Sequence, residues 1–246
     1  MENLKIISAR RSYEFGPDDI RLSSLVIPAV IESIRNTLQF QVVRVETPPA
    51  IFGAVAATLP PGIVFNFGTV ALDDRTTVPI RLLHVESDRI VIDVAGYSSA
   101  LDRVYELLRG VLVDLRAADG NPVLAEPLRV LNHSIVTASL GFAADRLLPA
   151  GVRAIHQSLA DGKDLERSRV AIPSVFVLEQ DGITTFPGLD ASSHAVFHLA
   201  LRAGTSPEAR HYYSAAPLET DRHLGYLREI ENALASENPE STGDDN

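Results

Sequence analysis

The stretch from Ile63 to Arg116 constrains the fold of this chain more than any other. Ile63-Val-Phe-Asn-Phe67, Val78 to Val85 and Arg89 to Val94 each read as a β-strand. Glu86-Ser-Asp88 leaves room only for a short hairpin loop, so the last two strands are antiparallel. Gly96 ends the third strand, and Ser98 or Ser99 caps a helix from Ala100 to about Arg116. Its apolar positions are Leu101, Val104, Leu107, Leu108, Val111, Leu112 and Leu115, at spacings of three and four. Asp119-Gly-Asn-Pro122 then breaks the chain.

The flanking segments extend this design. Residues 4–15 read as a strand that stops at Gly16-Pro17. A helical pattern runs from about Leu22 to Leu38, with Pro28 in the first turn of its regular part. Gln39 to Glu46 alternates as a half-buried strand, and Ile51 to Leu59 is a small apolar strand or short helix. The second half repeats the scheme more loosely. Leu128 to Ser139, Val170 to Leu178 and Tyr212-Tyr213 are strand-like. Phe142 to Leu159 and Leu218 or Thr220 to Ala235 are helical.

Three blocks recur in order. Pro61-Gly-Ile-Val-Phe65 resembles Pro173-Ser-Val-Phe-Val177. Arg89-Ile-Val-Ile-Asp-Val-Ala95 resembles His194-Ala-Val-Phe-His-Leu-Ala200. Leu101-Asp-Arg-Val-Tyr-Glu-Leu-Leu108 resembles Asp221-Arg-His-Leu-Gly-Tyr-Leu-Arg228. The expected fold is therefore α+β: mostly antiparallel sheets covered by long amphipathic helices, as two similar sheet-plus-helix halves. Their limits are 1–121 and 122–235, a degenerate repeat or one compact domain. Ser236 to Asn246 has no apolar residue and is expected to be a disordered acidic tail.

Composition excludes several kinds of chemistry. The chain has 246 residues and no cysteine, so disulfides, thiolate metal sites and a cysteine nucleophile are ruled out. No run of about 18 apolar residues is present to span a membrane, and the N-terminal residues do not form a secretory signal. A cytoplasmic location follows as the expectation. The net charge of −10 repels phosphate backbones. Arg10-Arg11 and Arg167-Ser-Arg169 are too short to reverse that, so no nucleic-acid partner is expected.

Motif searches return little. Phosphate-binding loops, the Gly-x-Ser-x-Gly elbow, His-Glu-x-x-His and calcium loops are all missing. Three clusters remain. Asp190, His194 and His198 would share one face of a helix and could hold a metal ion. On a strand, His194 and His198 would stand about 13 Å apart and could not. The segment 190–203 reads either way. His211 and Tyr212 could serve acid–base work or stack on a base. His84 and Asp93 flank the 78–94 hairpin, near Glu86 and Asp88, in a combination that suits hydrolysis.

The leading expectation is a non-enzymatic, cytosolic protein-binding or assembly module with no cofactor. It would self-associate, as a homodimer in the first instance, or bind another protein. One alternative is a binder of a small apolar ligand in a cavity between sheet and helix. The other is a metal-dependent hydrolase or nuclease.

Overall fold

The computed structural model describes residues 1–17, 19–45, 62–148, 176–179, 196–206 and 209–235. Residues 46–61, Asp190, His194, most of the 149–195 segment and the acidic tail lie outside the described residues. The chain divides into two compact units.

The larger unit takes residues 6–134 and 218–220. Its strands are β1 (Glu2–Glu14), β2 (Val42–Val45), β3 (Ile63–Ala71), β4 (Thr77–Val85) and β5 (Arg89–Val94), in the order β2-β3-β4-β5-β1. Neighbours are antiparallel throughout. Among the described residues, three helices belong to it: α1 (Leu22–Leu25), α2 (Pro28–Thr37) and α3 (Ser99–Leu112). Period-two alternation gives the sheet one helix-facing side. Ala9, Tyr13, Phe65, Leu83, Ile90 and Ile92 lie there and join Ile34, Leu101, Val104 and Leu108 in one core. Ser12, Leu82, His84, Val91 and Asp93 alternate with them and face away from these helices.

The smaller unit takes residues 1–5, 135–217 and 221–246. Its strands are β6 (Arg129–Ser139), β7 (Phe176–Glu179), β8 (Val196–Leu201) and β9 (His211–Ala216), in the order β6-β9-β8-β7. The helix α4 (Thr220–Ala235) buries Leu224 and Leu227.

The expected fold class does not hold. The protein is dominated by antiparallel sheet, and long amphipathic helices do not cover it. The 22–38 pattern splits at Pro28 into one turn and a ten-residue helix, because Pro28 supplies no N–H and takes the first helical position. The 100–116 helix ends at Leu112. The 142–159 pattern begins as a single 3₁₀ turn, Ala144–Leu147, followed by extended backbone at Leu148. Read outward from its first strand, the larger unit runs β1-β5-β4-β3-β2 and the described strands of the smaller unit run β6-β9-β8-β7. The 190–203 ambiguity is settled over 196–201, which is a strand paired with β7 and β9.

One irregularity in β3 matters below. Ile63 and Phe65 alternate inward, then Phe67 adopts a left-handed backbone with φ of 58° and turns outward, 63% exposed. Gly68 faces inward in its place. A Cβ at Gly68 would lie 2.6 Å from the ring of Phe40, so only glycine lets that buried ring close over the strand. Thr69 N–H donates to Leu38 C=O (2.9 Å), which seats the α2–β2 connection across the kink. On β4 a bulge falls between Ile80 and Leu82, beside the same kink.

Candidate functional site

The adjacent arginines of β1 point to opposite faces of the sheet. Arg11 is buried between β1 and α3. Its Nε donates to Asn132 Oδ1 (2.7 Å), and its Nη2 to Glu219 Oε1 (3.1 Å). Nη1 donates to the Asp102 carboxylate and, at 3.4 Å, to the Tyr13 hydroxyl. Burial alone would lower the guanidinium's pKa, but the hydrogen bonds and charge of Tyr13 and Asp102 outweigh it and leave it raised. Tyr13 stacks on Tyr105 with ring centroids 3.8 Å apart. Burial pushes the Tyr105 hydroxyl up to about 12, and its oxygen has no hydrogen-bond partner.

A second polar contact lies beside this cluster. Ser98, the residue before α3, and Thr220, the first of α4, complete each other's helix starts. Ser98 N–H donates to Thr220 Oγ1 (3.1 Å), Thr220 N–H donates to Ser98 Oγ (2.7 Å), and the two hydroxyls are 2.8 Å apart.

Arg10 lies on the other face. Its Nε and Nη2 both donate to Asp93 Oδ2, at 3.0 and 2.8 Å, which leaves the buried Asp93 Oδ1 without a hydrogen-bond partner. Ser12 Oγ and Glu14 Oε2, further along the same side of β1, are buried without one as well. His84 pairs across to Val91, and Asp93 to Leu82, so the two residues are diagonal neighbours about 7–8 Å apart. The sheet brings them onto one face but not into contact. His84 instead approaches Glu86, with Nδ1 to Oε1 at 3.6 Å, and Glu86 pairs with Arg89. A carboxylate held by an arginine is a poor general base and a poor metal ligand. Arg10 and Arg11 are both occupied by acids, so they form no basic patch.

His198 and His211 are on strands of the smaller unit. His198 pairs with Ala215, four residues from His211, which separates the two rings by about 13 Å along the sheet. His198 meets the Tyr213 ring edge-on at 6.0 Å. Ser139 Oγ lies 3.2 Å from His211 Nδ1, which resembles a nucleophile and its base. The other ring nitrogen excludes that role. Arg202 Nη1, which can only donate, is 3.2 Å from His211 Nε2, so the neutral ring carries its proton on Nδ1 and donates to Ser139. It cannot then take the serine proton. Tyr212 points to the opposite face. It is 1% exposed, its hydroxyl donates to Phe142 C=O (3.0 Å), and burial raises its pKa.

Asp190 and His194 lie outside the described residues. Among the described residues, no three His, Asp or Glu side chains are grouped to hold a metal ion, and no helix is long and apolar enough to cross a membrane.

Sequence reasoning passed over three features: the Arg11 cluster, Phe67 and a groove at the end of α3. The groove left a local signal in an apolar helix face ending in arginines, and Phe67 left one in the glycine that follows it. No protein-family model and no curated protein matches the chain. A solved structure titled "Methanococcus jannaschii TBP" is similar over 95% of this chain and 98% of its own, at 12% identity and a TM-score of 0.38. A likeness that distant does not bear on fold or function.

Proposed function

We propose that this chain is a non-enzymatic protein-binding or assembly module. Phe67 carries the reading. A bulky side chain in the left-handed region costs roughly 1–2 kcal/mol relative to glycine. An aromatic ring 63% exposed returns little of that to folding. Glycine or asparagine would make the same kink at lower cost. A partner that covers the ring offsets both terms, since burying a phenylalanine side chain contributes about 1.5–3 kcal/mol. Asp93, His211 and Tyr212 point the same way, each being held in a hydrogen bond or ion pair that opposes acid–base work.

Sedimentation velocity on the purified chain, alone and with any protein that co-purifies, tests the reading. The expected result is a concentration-dependent complex that Phe67→Asn weakens about tenfold or more while melting at the same or a higher temperature. A monodisperse monomer that brings down no protein and turns over a substrate would overturn it. So would a stoichiometric metal lost on His198→Ala.

A further inference from the structure

The last turn of α3 and the returning segment 122–126 enclose a groove of about 380 Å³, within the range of small-molecule sites. The chain doubles back here because Ala117 N–H donates to Asn121 C=O (2.9 Å) and Arg116 bridges to Pro122. Leu112, Val113 and Leu124 form an aliphatic lining. Leu112 belongs to the core, while Val113 is 62% exposed and stands at the mouth.

The rim holds Arg109, Arg116 and Glu126. Arg116 is fixed through one nitrogen, since Nη1 donates to the carbonyls of Val113 (2.7 Å) and Leu115 (3.0 Å). Its Nε and Nη2 are left to make further bonds in a set direction. Arg109 holds Glu126 at 2.5 Å, but both side chains are at least half exposed, so this pair contributes little and can be shared. Two guanidinium charges outweigh one carboxylate and the partial negative charge, about half a unit, at the C-terminus of α3. The balance at the mouth is positive over an apolar floor.

We propose that this groove binds a small amphiphilic carboxylate, with its aliphatic body on Leu112 and Leu124 and its carboxylate on Arg116. A planar guanidinium with two free donors matches a carboxylate in a fork geometry. A neutral alcohol gains the same apolar contact but leaves those donors without an anionic acceptor. An alkylammonium meets two like charges. This site is separate from Phe67 and stands whether or not the chain binds a protein.

Calorimetric titration of the full chain with octanoate, 1-octanol and octylammonium tests it. Octanoate is expected to bind saturably at one site, at least tenfold tighter than 1-octanol, with octylammonium weakest. Arg116→Gln should weaken octanoate at least tenfold. Because Arg116 also caps α3, Val113→Glu provides a second variant. It places a carboxylate at an exposed position of the mouth and should abolish octanoate binding with the circular dichroism spectrum unchanged. Equal affinity for the three probes, no saturable octanoate binding, or an affinity that neither variant changes would each overturn the assignment.

Discussion

Arg10 and Arg11 are neighbours in sequence and live under different rules. Arg11, with a side chain 6% exposed, has acceptors on every nitrogen, drawn from Tyr13, Asp102, Asn132 and Glu219. Arg10, 42% exposed, meets a single carboxylate oxygen, and the remaining oxygen of Asp93 is left without a partner. A buried cation must replace its whole hydration shell with protein groups, whereas a half-exposed one keeps water as a partner. The comparison ranks what each face of the sheet tolerates.

Arg11→Met should have the largest effect, because it leaves Asn132 Oδ1 and the Tyr13 hydroxyl without their donor, while Asp102 and Glu219, both about half exposed or more, keep water as a partner. A loss of about 2–3 kcal/mol in urea unfolding is expected. A loss under about 1 kcal/mol would mean that the cluster does not anchor the core. Arg10→Ala should cost less. It leaves the buried Asp93 carboxylate alone, at about 1–3 kcal/mol, and water reaching the half-exposed side of the pair favours the lower end. Replacing both partners, as Arg10→Leu with Asp93→Leu, should recover most of that loss. If it does not, the pair has a role beyond its own charge balance.

Phe67→Gly should move stability the other way, by about +1 kcal/mol, through relief of the left-handed strain. A destabilised variant would show that the ring supports the fold. The smallest effect belongs to Glu14, whose carboxyl burial raises above its ordinary value of 4.5. With a raised folded-state pKa, the native state holds the proton longer than the unfolded chain. Stability therefore falls as pH rises from about 4.5 through the folded value. Glu14→Gln should melt slightly higher than the natural chain at pH 7 and show no gain at pH 4. A gain that does not depend on pH would assign the effect to packing instead.

The sequence made the local structure readable wherever the signal was local. The 78–94 hairpin emerges with β4 at Thr77–Val85 and β5 at Arg89–Val94, because alternation and a three-residue loop leave little choice. The last helix starts at Thr220, as the acids at Glu219 and Asp221 imply. Periodicity carries no record of a chain reversing its phase. Ile63, Phe65 and Phe67 alternate as if all faced the core, and only the glycine at 68 marks the kink that turns Phe67 out. The Arg11 cluster was out of reach for another reason. Its partners lie 91, 121 and 208 residues away, and no spacing rule joins positions that far apart. His84 and Asp93 share a face as alternation implies, but their engagement with other groups depends on side chains that alternation does not place.

The exchange of hydroxyls between Ser98 and Thr220 has a consequence in time. A helix start is ordinarily completed by its own N-cap side chain, within three residues. Here α3 and α4 each wait on a residue 122 positions away. Closing a loop of that length costs roughly 4 kcal/mol of chain entropy by the logarithmic rule. The two helices can nucleate early, yet their first turns mature only after the sheet has gathered the chain. Ser98→Ala and Thr220→Val would then hasten unfolding and leave the refolding rate nearly unchanged, which makes this pair a brake on escape from the native state.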